Sequence, residues 1–95
     1  MKRFMLVHYG FEKPTPEIMA KWKAWFEAVG SYTVENIGLR AGREITRDGA
    51  RDLPMGPDSI TGCTVITAES MDAAEALARQ NPFISSIRVY EIAAH

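Results

Sequence analysis

Residues 3–30, RFMLVHYGFEKPTPEIMAKWKAWFEAVG, contain the junction on which the fold turns. Residues 3–9 are apolar or aromatic after the opening Arg, hold no breaker, and are bounded by Gly10 and the Pro14/Pro16 pair, which predicts a strand. Phe4, Leu6 and His8 fall on one face of that strand and Met5, Val7 and Tyr9 on the other, so large side chains leave both sides. The segment that follows changes period. Thr15 can cap free amides, Pro16 suits a first helical position, and Glu17 stands where the helix dipole favours a negative charge. Ile18, Trp22, Trp25, Val29 and Tyr32 then recur at steps of three and four, with Met19 and Phe26 widening the stripe. Lys21, Lys23 and Glu27 occupy the wet flank, and the pattern predicts a helix that passes Gly30 and runs to about Glu35.

Working outward from this junction, residues 37–46 (IGLRAGREIT) give a weaker strand signal interrupted by Gly38 and Gly42. Asp48-Gly49 predicts a two-residue turn that folds residues 43–47 back onto 50–53. Residues 54–59 (PMGPDS) are rich in turn formers and read as an ordered loop. Residues 62–67 (GCTVIT) give a further strand. Ser70 caps a second helix with Asp72 and Glu75 early in it and Met71, Ala74, Leu77 and Ala78 on its inner side. Asn81-Pro82 stops this helix, and residues 84–92 (ISSIRVYEI) form the last strand. The order is that of an α+β, ferredoxin-like βαββαβ fold with an antiparallel sheet, the second strand carrying a hairpin excursion. Both helices then cover one sheet face, and the apolar residues on the other predict face-to-face pairing of two copies.

Composition agrees with one small domain over residues 1–95. Hydrophobic residues make up 46% of the chain, including two Trp, three Tyr and four Phe, which is a large apolar supply for a surface this small and favours an oligomer. Eleven Lys or Arg against twelve Asp or Glu give a net charge of -1, so no global field favours nucleic acid or an anionic membrane. Cys63 is the sole cysteine, which excludes an internal disulfide and CxxC redox or metal motifs. The opening apolar stretch is too short for a signal peptide and no run spans a membrane, so the expected location is the cytoplasm.

The whole chain resembles the YCII-related, or DGPF-domain, family. The likeness rests on MKRFMLVHYG, PTPEIMAKWKAWFEAVG, the Asp48-Gly49 turn, Asp52-Leu53-Pro54-Met55, GCTVIT, ESMDAAEALA and IRVYEI, in that order. It implies a dimeric α/β barrel of ferredoxin-like subunits. It also implies, from a few relatives, action on small cyclic compounds, including dehydrochlorination or isomerisation of lactones. In more distant branches a His and Asp pair is a proposed active site. The name-giving Asp-Gly-Pro-Phe stands here as Asp52-Leu53-Pro54-Met55, keeping Asp and Pro but losing the Gly and the aromatic, and the segment after it is GPDSIT rather than acidic and Lys-rich. Both departures alter any pocket that this loop builds.

His8 ends an apolar strand and titrates near neutral pH when unperturbed, so it is the first candidate acid or base; the alternative is a structural histidine. Asp52 is the second candidate, able to orient His8 or take a proton if the fold joins them, and otherwise a turn former. Asp58 is a weaker ligand candidate beside Pro57. Arg40, Arg43, Arg47 and Arg51 could clamp an anion, with Arg40 and Arg43 the candidate ligand contacts, or could form a solvated hairpin with Glu44 and Asp48. Tyr9 could line a cavity. Trp22, Trp25 and Phe26 belong first to core and interface, Glu91 to an edge or solvent position, and Cys63 to packing. His95 is terminal. No cofactor motif or zinc spacing occurs, so neither a cofactor nor a metal is expected. The reading that results is a small-molecule enzyme of isomerase or lyase type using His8 and Asp52. A non-catalytic domain binding a small apolar or anionic ligand, and a structural dimerisation domain, stand as alternatives.

Overall fold

A computed structural model describes residues 1–93 of the chain. Its elements are β1 (Lys2–Tyr9), α1 (Pro16–Ala28), a 3-10 turn (Gly30–Tyr32), β2 (Thr33–Gly38), β3 (Gly42–Thr46), β4 (Gly49–Leu53), β5 (Ile60–Ala68), α2 (Met71–Arg79) and β6 (Ser86–Glu91). Four strands form one sheet in the order β2-β5-β1-β6, every neighbour antiparallel. This is the ferredoxin-like arrangement, with β3 and β4 as a separate two-stranded excursion between β2 and β5.

Both helices begin as their sequences dictate. Thr15 Oγ1 accepts the amide of Ile18 at 3.2 Å with Pro16 opening α1, and Ser70 Oγ accepts the amide of Ala73 at 3.1 Å ahead of α2. On the covered sheet face Phe4, Leu6 and Ile66 are fully buried against Trp25 of α1, Val29 at its C-terminal cap, and Ala74 and Ala78 of α2. Removing each large apolar side chain from water contributes about 1.5–3 kcal/mol. The two alanines let α2 lie close to the sheet, and Trp25 is fixed as well as buried because its indole N–H donates to the Leu77 carbonyl at 3.0 Å.

The structure corrects the sequence reading in three places. The expected dimeric α/β barrel is not formed: β2 and β6 are free edges of an open four-stranded sheet, and the hairpin makes its own sheet instead of extending or closing this one. A barrel requires the last strand to bond to the first, and here the order ends at both sides. Second, α1 stops at Ala28 rather than near Glu35. Gly30 starts a 3-10 turn, the Thr33 hydroxyl donates to the Val29 carbonyl at 2.9 Å, and β2 is already extended from Thr33. The β-branched Thr33 pairs with Ile66 of β5, and Val34 stands at a register irregularity in the strand, in place of a further helical turn. Third, the hairpin reverses through Arg47-Asp48, with Thr46 opposite Gly49, one residue before the expected turn. Gly49 supplies the positive φ of +143° there.

Candidate functional site

His8 lies on the helix-covered face at the end of β1, opposite Gly62 of β5 and Ile87 of β6. It is 5% exposed, and its Nε2 is hydrogen-bonded to Thr64 Oγ1 at 2.9 Å. Two tryptophans stand edge-on to the imidazole: the Trp22 ring at 5.1 Å and 77°, and the Trp25 ring at 5.8 Å and 88°. The other ring nitrogen, Nδ1, is buried with no hydrogen-bond partner. No charged group faces the ring closely enough to oppose its loss of hydration, so burial pushes the His8 pKa down from 6.5 to about 4. At neutral pH it is an uncharged imidazole.

Beside this residue opens a cleft of about 730 Å³ between α1 and the β2-β5 side of the sheet. Ile18, Met19, Trp22 and Phe26 of α1 form one wall, and Asn36, Ile37, Gly38, Thr61, Gly62 and Thr64 the other. Phe11, Glu12 and Pro14 border it from the β1-α1 connection, and Lys23 and Glu27 from the outer side of the helix. The wide apolar stripe of α1 is thereby explained: Trp25 and Val29 fill the core, whereas Met19 and Phe26 remain 62% and 36% exposed along the cleft. Two glycines shape the site. At Gly62 a Cβ would come within 2.8 Å of the Ile37 carbonyl, so β2 and β5 approach closely here only without a side chain. Gly10 (φ +110°) turns the chain out of β1, where a Cβ would strike Ser85, and its amide donates to the Ser59 carbonyl at 2.7 Å.

The residues singled out in the sequence are distributed unevenly around this cleft. His8 borders it. Asp52 sits on β4, its side chain 82% exposed, accepting from Arg43 Nε at 2.8 Å directly across the hairpin, whereas His8 is hydrogen-bonded to Thr64. Arg51 pairs with Glu44 at 2.8 Å in the next register position, while Arg40 and Asp58 are exposed in connections. Tyr9 points to the opposite sheet face by alternation, under the Arg88 guanidinium at 4.7 Å. Glu91 is exposed and 3.5 Å from Lys2 Nζ. His95 lies outside the described residues. Sequence reasoning missed Thr64, the cleft role of Phe26 and Met19, and the part played by Gly62. The visible signal was a hydroxyl at Thr64 within a largely apolar strand run, a feature it shares with Thr67.

Among the described residues no group of three His, Cys, Asp or Glu side chains converges as a metal site, and no helix is long and apolar enough to cross a membrane. No protein-family model and no curated protein matches the chain. Among solved structures it is similar to 5-chloro-2-hydroxyhydroquinone dehydrochlorinase from Burkholderia phenoliruptrix, in complex with 2,5-dihydroxybenzoquinone. The TM-score is 0.58 and the identity 15%, over 98% of this chain and 95% of that one. At this identity the likeness is one of fold, and it agrees with the ferredoxin-like topology traced above.

Proposed function

We propose that the chain is a distant YCII-like small-molecule enzyme of the isomerase or lyase type, that the α1-sheet cleft holds its substrate, and that His8 is its acid–base group. The observation that carries this reading is a buried, uncharged histidine with an unpartnered nitrogen bordering an aromatic-walled cleft. The fold likeness to a dehydrochlorinase supports it by analogy. The Trp22 and Phe26 rings, 5.7 Å apart, give a small ring compound an apolar surface to lie against.

The pKa of His8 also limits the chemistry. A base whose conjugate acid has a pKa near 4 is fully available at pH 7 but weak, so it removes only acidic protons, such as those of a carbon between carbonyl groups. The imidazolium formed is in turn a strong acid in this setting and returns its proton readily, as an isomerisation or an elimination requires. Thr64 holds the ring in place through Nε2. Within one subunit this role falls to His8 alone, with Asp52 engaged by Arg43. The same weakness favours, as a second reading, a domain that binds its ligand without turning it over. In either case we propose that two copies associate through the uncovered sheet face, where Met5, Val7 and Tyr9 are half-buried and Tyr90 is 50% exposed.

The test is to incubate the purified chain with small lactones and chlorinated hydroxyhydroquinones, following ring absorbance and chloride release. Turnover of at least one, lost by a factor of about 100 or more in His8→Gln, is the expected result. Turnover unchanged by that substitution overturns the assignment of His8. Binding without turnover favours the second reading.

A further inference from the structure

We infer that the cleft selects uncharged aromatic molecules and rejects their anionic counterparts. The inference rests on the cleft being the ligand site, as proposed above, and adds the charge class of what enters it.

Three observations lead to it. First, the arginines that the sequence offered as anion clamps do not border the cleft. Arg43 and Arg51 are engaged by Asp52 and Glu44 on the hairpin, and neither Arg40 nor Arg47 is among the lining residues. Second, the rim carries more negative than positive charge. Among the described lining residues Lys23 is the only cation, and Glu12 and Glu27 line the same cleft. An incoming carboxylate therefore meets two like charges for one opposite charge. Third, the inner wall cannot neutralise an anion. His8 is uncharged there, the Thr64 hydroxyl is engaged with it, and the Thr61 hydroxyl lies 3.4 and 3.3 Å from the carbonyls of His8 and Gly10. An ion brought into such a place loses hydration and meets no fixed positive charge on the inner wall to replace it.

A neutral ring bearing a hydroxyl or carboxamide meets none of these penalties. It packs on Trp22 and Phe26 and brings no charge that must lose its hydration.

The experiment is an NMR titration of the full chain at pH 7.5 with benzamide, phenol and benzoate, following the Trp22 indole and His8 ring signals. Benzamide and benzoate have nearly the same shape and differ in charge. Benzamide and phenol are expected to shift both signals, with benzoate at least about tenfold weaker. In a Glu12→Gln, Glu27→Gln double variant the benzoate:benzamide affinity ratio is expected to rise several-fold, and in Lys23→Gln to change by less than about twofold. Benzoate binding as tightly as benzamide overturns the inference while leaving the cleft as a ligand site. Loss of benzoate binding in Lys23→Gln overturns it too, by making that lysine an anion anchor. If none of the three probes moves either signal, the cleft reading fails and the inference with it.

Discussion

The cleft beside His8 and the β3-β4 hairpin place similar polar chemistry in opposite surroundings. In the hairpin every strand residue is exposed, and two cross-strand ion pairs occupy adjacent register positions, one on each face. In the cleft a single imidazole is enclosed by two indole rings and one hydroxyl, and no charged side chain compensates for its lost hydration. Surface pairs such as Arg43–Asp52 contribute about 0–1 kcal/mol because water screens them, whereas one buried, incompletely bonded polar group can matter by several times as much. Reactivity is therefore to be sought where charges are fewest, and the hairpin, with four arginines between residues 40 and 51, is the less informative region despite its conspicuous sequence.

The largest expected contrast is in packing. Leu6→Ala beneath the helices should destabilise the chain by about 2–5 kcal/mol, and Ile45→Ala on the hairpin, where the side chain is 79% exposed, by less than about 0.5 kcal/mol. Urea denaturation of the two variants measures both. A comparable loss at Ile45 would show that the hairpin is covered in solution.

Next in size is the pH response. The folded pKa of His8 is about 4 against 6.5 for the free side chain, so between these values the unfolded chain takes up a proton that the folded chain refuses. The contribution of His8 to stability is thus fully present above about pH 6.5 and is lost as pH falls towards 4, a total on the order of 3 kcal/mol. Denaturation series from pH 7 to 5 should show this slope in the native chain and a shallower one in His8→Gln. The same slope in both would place the neutral histidine elsewhere.

How much of this was legible beforehand differed by element. The caps at Thr15 and Ser70, the alternating β1 and the apolar stripe of α1 were read correctly because each depends on neighbours within a few residues. The end of α1 was not: Val29, Gly30 and Tyr32 keep helical spacing, but pairing of Thr33 with β5, a partner more than thirty residues away, decides the outcome. The same limit applies to the site. His8 was visible as a polar residue closing an apolar strand, while its partner Thr64 is set by the register of β1 on β5, which no local pattern encodes. Whether His8 and Asp52 meet was likewise left open by the sequence, because it depends on tertiary structure; within the hairpin the cross-strand register pairs Asp52 with Arg43. The barrel failed for a related reason, since whether a sheet closes depends on what its edge strands bond to.

Smaller effects separate the two regions further. Thr64→Val keeps the shape of the side chain and leaves both His8 nitrogens unpartnered, which should cost about 1–3 kcal/mol independent of salt. Asp52→Asn should cost less than about 1 kcal/mol, and that little should vanish at high salt. Denaturation at low and high ionic strength distinguishes them, and a large, salt-insensitive loss at Asp52 would return that carboxylate to the site.

The most direct test of a neutral His8 at a ligand cleft is an NMR titration of its imidazole between pH 7.5 and 4, without and with a saturating neutral aromatic. The ring is expected to stay uncharged at pH 5.5 and its signals to move when the aromatic binds. Protonation near 6.5 with no response to the aromatic would contradict both the enclosure of His8 and the assignment of the cleft as the functional site.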